Sequence, residues 1–388
     1  MKNIKDEINK IIDELIVIRR YIHQNAEVGF ELDNTISFVK EKLCGYGYKP
    51  YECGKSGVVV EINRGFDKTI LLRADMDALP IKEEAEIEFK SDVNMHACGH
   101  DIHTTILLGV AKLLKKYESR LKANVKLAFQ PAEELLAGAI DMIADGLLDN
   151  VDEAYMIHVV TPTIYDTGTF IVSDDEVTAS SCDYFQIKVI GKSVHGAMPS
   201  LGVDPIIIGS NIVTSLKHIE TNEIDTKESY TLTFGTISGG NTFNVIPDEV
   251  ILKGTLRTFN EEVRSYSKNR IVEISNHIAK AYNGRVELLF PTSTPVLIND
   301  LNLVSEVCDV LTKNNINVIK TSELDNKTKG SGSEDFAYIT QKVPSVMLNL
   351  CAGNIRDGYK YPLHNSKVIF DENSIYYGIL AFLSILLN

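Results

Sequence analysis

The sequence predicts an α/β protein: a mixed, largely parallel sheet flanked by helices and interrupted by a smaller α+β domain. Two observations predict the sheet. The runs KTILLRA (68–74), NVKLAFQ (124–130) and EAYMIHV (153–159) have strand length and strand composition. Between them TTILLGVAKLLKKY (104–117) repeats its apolar residues at helical spacing. Such alternation packs helices on both faces of a parallel sheet. A third observation, the change of pattern after residue 181, predicts the inserted domain.

The elements follow in order. MKNIKDEINKIIDELIVIRRYI (1–22) intersperses charges at helical spacing, so it reads as an amphipathic helix and not as a secretion signal. Asp101 is placed to cap the helix over 104–117, and Pro131 to open a further helix that would carry Glu133 and Glu134. From 182 to 293 the order changes. DYFQIKVI (183–190) is a strand. A helix follows, with Asp204 as cap and Pro205 in its first turn. YTLTFGTI (230–237) and DEVILKGTLRT (248–258) are strands, a helix capped by Asn260 comes next, and RVELLF (285–290) closes the unit. This β-α-β-β-α-β order is that of a ferredoxin-like unit. The expected division is therefore 1–181 with 294–388 for one discontinuous domain, and 182–293 for the insert. The uncharged stretch SIYYGILAFLSILL (374–387) falls short of the roughly 20 residues a membrane span needs, so it is expected to be a core helix.

Composition removes several functions. With 39 Lys+Arg against 53 Asp+Glu, the net charge of −14 disfavours nucleic acid and anionic membranes as partners. Six cysteines lie scattered without framework spacing, the pattern of a reduced, cytoplasmic protein.

HACGHDIH (96–103) packs His96, His100 and His103 around Cys98, although the chain has only nine histidines. Thiolate and imidazole together suit zinc, nickel, cobalt or iron. A nucleophilic Cys98 paired with a histidine is the other reading, but it leaves the carboxylates of FQPAEE (129–134) unused. Metal-assisted hydrolysis needs one carboxylate as ligand and one as general base, and Glu133 and Glu134 fit that division. His158 stands near the carboxyl end of a strand, where open α/β sheets place their sites. Asp77, in LLRADMDALP (71–80), is a candidate to orient a metal-bound histidine. Spacing alone does not choose among the three clustered histidines, and it gives His364, His195, Asn244 and Arg257 no role.

Together, RRYIHQNAEVGFE (19–31), LLRADMDALP, MHACGHDIHTT (95–105), FQPAEE, GKSVHGAMPSLGVDP (191–205), GTISGGNTFNVIPDEVILKGTLRTF (235–259), GSEDFAY (332–338) and LHNSKVIFDE (363–372) resemble the M20 metallopeptidase-type amidohydrolases. The resemblance is to the aminoacylase, hippurate hydrolase and auxin-conjugate hydrolase branch. It implies two divalent metals (zinc, manganese, nickel or cobalt) bridged by Cys98 and bound by His100, Glu134, His158 and His364. It implies Glu133 as general base acting on a metal-bound water, with His195 polarising the scissile carbonyl. Asn244 and Arg257 would bind the substrate carboxylate. The implied reaction is hydrolysis of N-acyl amino acids, with a dipeptidase of the same clan as the alternative. The insert would be a lid and dimer contact, giving a homodimer or a tetramer. A decayed, purely binding protein is disfavoured because the base is present. The chain departs from the family where Leu135 and Leu136 replace a glycine-rich run, and where Asn25-Ala26 replaces a proline-containing pair.

Overall fold

The structure, a computed structural model, describes residues 2–324 and 332–387. Its contacts divide it into two units. The first comprises Met1–Thr178, Ile298–Lys329 and Glu334–Asn388; the second comprises Ala179–Leu297 and Gly330–Ser333.

The first unit begins with α1 (Lys2–Gln24) and α2 (Asp33–Gly45). The strands β1 (Tyr51–Cys53), β2 (Gly57–Ile62) and β3 (Thr69–Asp75) lead to α3 (His100–Tyr117). Next come β4 (Asn124–Gln130), α4 (Gly138–Ala144), β5 (Glu153–Val160) and β6 (Phe170–Val172). In the second unit β7 (Cys182–Ile190), α5 (Pro205–His218), β8 (Tyr230–Ser238), β9 (Glu249–Thr258), α6 (Glu261–Ala281) and β10 (Arg285–Thr294) follow one another. The chain then returns to the first unit with α7 (Leu301–Lys313), β11 (Val318–Lys320), β12 (Ser345–Cys351) and α8 (Asn373–Leu387).

The first unit's sheet runs β1-β2-β4-β3-β5-β12-β6-β11. Its centre, β4-β3-β5-β12, is parallel, while β1, β2 and β6 add antiparallel pairs. Parallel strands covered on both faces must be apolar throughout, and β3, β4, β5 and β12 are buried along nearly all their length. Their carboxyl ends therefore bring Asp75, Gln130 and His158 to one edge of the core. α8 is buried through most of its residues, including Ile375, Ile379 and Phe382, and packs against α1, α3 and α7. No helix among the described residues is long and apolar enough to cross a membrane.

One expected cap is corrected. α3 starts at His100, and its cap position is Gly99, in the left-handed region with φ +85°. A Cβ at residue 99 would also lie 2.3 Å from Val159 Cγ2, so only glycine fits there. Asp101 is already inside the helix. One oxygen of its carboxylate is spent on Arg19 (2.7 Å) and His23 (2.9 Å) of α1. Its other oxygen accepts the amide of the next residue, Ile102, at 3.0 Å, but from inside the first turn it does not stand at the cap position.

The second unit is a four-stranded antiparallel sheet in the order β8-β9-β7-β10. α5 and α6 pack together on it over a core that includes Phe185, Ile187, Ile212, Leu252 and Ile271. Asp204 accepts from the Ile206 and Ile207 amides, and Asn260 from those of Glu262 and Val263, so both predicted caps are present.

Replacing Ile379, fully buried in the first unit's core, by alanine removes three carbons with little room to collapse. Ile379→Ala is expected to cost about 2–5 kcal/mol, seen as a lower midpoint in chemical denaturation.

Candidate metal centre

The centre is built from short segments at the carboxyl edge of the first unit's sheet. Cys98 lies 3.5 Å from His158 Nε2 and 3.3 Å from His364 Nε2. His364 Nε2 is 3.4 Å from Glu134 Oε1, which is 4.0 Å from His100 Nε2. Two sets of donor atoms result, Cys98–His100–His158 and Cys98–Glu134–His364, each with its atoms within 4.8 Å of one another. Cys98 belongs to both. With metal–ligand bonds of about 2.0–2.3 Å, donors around one ion stand about 3–4 Å apart, so each set has the spacing of one site.

The hydrogen bonds behind the ring nitrogens decide which histidines are free to coordinate. His100 Nδ1–H donates to the Asp77 carbonyl at 2.9 Å, and His158 Nδ1–H to the Val159 carbonyl at 2.8 Å. Each bond leaves an Nε2 lone pair on the side of Cys98. His103 is different. Its Nε2 accepts from the Val159 amide at 2.8 Å and its Nδ1–H donates to Asp75 at 2.6 Å, so both nitrogens are occupied. His103 and Asp75 form a further cluster with His100, but that imidazole has no lone pair to offer a metal. His96 is fully buried, makes no ring hydrogen bond, and joins none of these clusters.

The residues fit a metal on grounds of this structure alone. His100 Nε2 is buried with no hydrogen-bond partner, and the buried Glu134 Oε1 meets only the histidine rings of the same cluster. A buried polar atom left this way is costly unless something else satisfies it. Burial alone would push the Cys98 thiol up, but the charges of His158 and His100 pull it down to about 6, toward the thiolate a metal requires. Burial works against protonation of His158, yet Cys98 raises it to about 9. Hydrogen bonds to Cys98 and Glu134 lift His364 to about 10. Burial opposes ionisation of Glu134, but His364 and His100 hold it below the usual carboxylate range.

Glu133 and Glu134 do not begin a helix as their sequence suggests. They occupy a tight turn, 133–136, and α4 starts only at Gly138. The 100° offset of neighbouring helical residues therefore does not separate their roles. Asp77 does: its two carboxylate oxygens accept the Glu133 and Glu134 amides at 3.1 and 3.2 Å and fix the turn. Ala132 and Leu136 flank the pair at φ +53°. His364 sits at φ +64°, anchored by its amide on the Ala97 carbonyl at 2.9 Å. The other non-glycine residues with positive φ are all asparagines, which tolerate it. Backbone strain among the described residues thus gathers at this centre, as it does at functional sites.

Glu133 lies outside both donor sets that share Cys98. Its Oε2 is 4.0 Å from His100 Nε2, and its Oε1 accepts the Asp335 amide at 3.4 Å. Burial, and then the charge of Glu334, push its carboxyl well above the ordinary value. A carboxylate so raised takes up a proton more readily than an exposed glutamate does.

Sequence reasoning missed the network beneath. Arg73, fully buried in β3, donates to Gln130 (2.8 Å), Asp75 (2.7 Å) and Asp335 (2.8 Å), and pairs with Glu334 at 2.9 Å. An arginine inside an otherwise apolar strand was the available signal. In the second unit His195 pairs in register with Val245, and the Gly196 amide bonds the Asn244 carbonyl at 2.8 Å. His195 Nδ1 accepts the Ala197 amide at 3.1 Å, which puts the ring proton on Nε2 as an available donor. Arg257, on β9, donates to Ser333 Oγ at 3.0 Å.

Residues 71–388 match the model of peptidase family M20/M25/M40. The chain is 36% identical over 389 residues to thermostable carboxypeptidase 2 of Saccharolobus solfataricus, covering 98% of this chain and 96% of the relative. It is 38% identical over 336 residues to N-acetyl-L-cysteine deacetylase of Bacillus subtilis, covering 85% and 78%. Among solved structures, a Bacillus subtilis protein described as a dinuclear metal binding peptidase from the M20 family superposes with a TM-score of 0.79 at 28% identity. That match covers 98% of this chain and 99% of the neighbour.

Metal binding here must displace protons from His158 and His364, raised to about 9 and 10. Titration with a divalent metal near neutral pH is therefore expected to release protons, and affinity to fall as pH falls. Calorimetry in buffers of different ionisation enthalpy reads this directly; a heat independent of buffer would count against it.

Proposed function

The chain belongs to peptidase family M20/M25/M40 and is a hydrolase of amide bonds; we propose that it cleaves N-acyl amino acids to a carboxylic acid and a free amino acid. The observation that carries this reading is the sharing of Cys98 by two donor sets, with Glu133 beside them and outside both. Two divalent ions, of zinc, manganese, nickel or cobalt, would be held by Cys98, His100 and His158 and by Cys98, Glu134 and His364. When bound, they supply Lewis acidity toward the amide carbonyl and toward water.

The chain's own residues do the rest. Glu133 removes a proton from the attacking water and returns it to the departing nitrogen, so that a neutral amine leaves. Its burial and raised proton affinity suit both transfers. Asp77 holds the turn that presents Glu133 and the carbonyl that orients His100. His195 donates its Nε2–H to the oxyanion of the tetrahedral intermediate. Arg257, with its planar fork of donors, and Asn244 bind the free carboxylate of the amino acid. The second unit acts as the lid and dimer contact, so the working form is a homodimer. Six free cysteines suit a reducing, cytoplasmic setting.

The Saccharolobus relative's name favours a second reading, removal of the last amino acid from a short peptide, and a dipeptidase stands beside it. Both readings keep the free carboxylate and the amide, and differ in what lies on the acyl side.

Glu133→Gln is expected to keep two metals per chain by elemental analysis while turnover of N-acetyl and N-benzoyl amino acids falls about 10²–10⁴-fold. Activity close to wild type in that variant would remove Glu133 as the base. Arg257→Ala is expected to raise KM on the order of tenfold or more with kcat largely kept. Amides lacking the free carboxylate should show no such change.

A further inference from the structure

Leu135 follows the two glutamates directly, on the same turn. Leu136 N–H closes that turn on the Glu133 carbonyl at 2.7 Å, and Ala137 N–H bonds the Ala132 carbonyl at 3.2 Å. The side chains then divide: Glu133 is buried, Glu134 is mostly covered, and Leu135 keeps 49% of its surface exposed. One face of Leu135 is packed. It lies against Gly29, where any Cβ would come within 2.8 Å of Leu135 Cδ1, and the Gly29 carbonyl accepts the Ala132 amide at 3.0 Å. Gly29, at φ +62°, is thus a floor that only glycine can supply.

The opposite face of Leu135 is an apolar surface one residue from Glu134, within about 3.8 Å along the backbone. Leu136 beside it occupies a left-handed conformation that glycine or asparagine would adopt with less strain. This turn thus carries two bulky apolar side chains, Leu135 exposed and Leu136 in a disfavoured conformation. In an N-acyl amino acid the polar half is the carboxylate, assigned above to Arg257 and Asn244. The half left to be recognised is the acyl group.

We infer that Leu135 is a specificity-determining residue, whose exposed face receives an apolar acyl chain or ring and favours it over acetyl. The inference rests on the N-acyl amino acid reading. A substrate chain covering Leu135 removes apolar surface from water on both partners, and acetyl is too short to do so.

The test compares N-octanoyl and N-acetyl derivatives of one amino acid on the metal-loaded wild type, Leu135→Ala and Leu135→Met. Wild type is expected to favour the octanoyl substrate. Leu135→Ala should lower the octanoyl-to-acetyl ratio of kcat/KM by roughly tenfold, carried by KM, and Leu135→Met should restore it. An unchanged ratio, or a wild type that favours acetyl, overturns the inference while leaving amide hydrolysis in place. A second readout does not need turnover. The chain has no tryptophan, so Leu135→Trp provides a single indole at this position. Its emission should shift to the blue with octanoate and stay unmoved with acetate; no shift with octanoate overturns the inference. A shift in a protein that hydrolyses neither substrate would keep the apolar subsite and dismiss the N-acyl reading.

Discussion

The guanidinium of Arg73 has no exposed surface, so each of its hydrogen bonds must be made inside the protein, and those bonds fix the floor of the metal centre. It takes Gln130 from the end of β4, Asp75 from the end of β3, and Glu334 and Asp335 from a segment some 260 residues further on. Asp335 in turn accepts the Ala139 amide at 2.8 Å and the Gln130 side chain. Loss of one partner from such a buried set leaves uncompensated charge, at about 3–5 kcal/mol. The residues it ties together bracket the turn that carries Glu133. The raised proton affinity of that carboxyl, driven by burial and by Glu334, is a consequence of the same arrangement.

Above this floor the donors come from ends and turns, not from the middles of elements. Gly99 lets the chain swing from Cys98 into α3 with its first residue, His100, facing the thiol. Ala132, Leu136 and His364 hold left-handed conformations that their side chains disfavour. Strain of this kind persists only where the surroundings over-determine the backbone. Here Asp77 grips two consecutive amides and Ala97 grips the amide of His364. The three clustered histidines are sorted by the same means. A carbonyl behind His100 frees its Nε2, whereas an amide in front of His103 consumes the corresponding atom.

The second unit works by a different rule. Its core is an ordinary sheet-and-helix interface, and the residues assigned to substrate stand at its surface. His195 and Asn244 are exposed on two short paired segments, and Arg257 lies on β9. Exposed side chains of this kind carry little of the fold's stability, so they can be altered with less effect on folding than any change at Arg73.

The sequence by itself determined the architecture, because hydrophobic period is a local signal. β4, α5 with its Asp204 cap, α6 with its Asn260 cap and the buried α8 follow from residues close in the chain. It also marked the chemistry: HACGHDIH and FQPAEE were conspicuous by residue type alone. What it could not decide was every matter settled by residues distant in the chain. Asp101 looked like a cap until Arg19 and His23 claimed it. Glu133 and Glu134 looked helical until Asp77 and the carbonyl of Gly29 fixed their turn. His364 came beside Cys98 across 266 positions, and Arg73 found its acids across 262. Hydrogen bonds to buried groups are satisfied wherever the fold brings a partner, and only the tertiary structure says where that is.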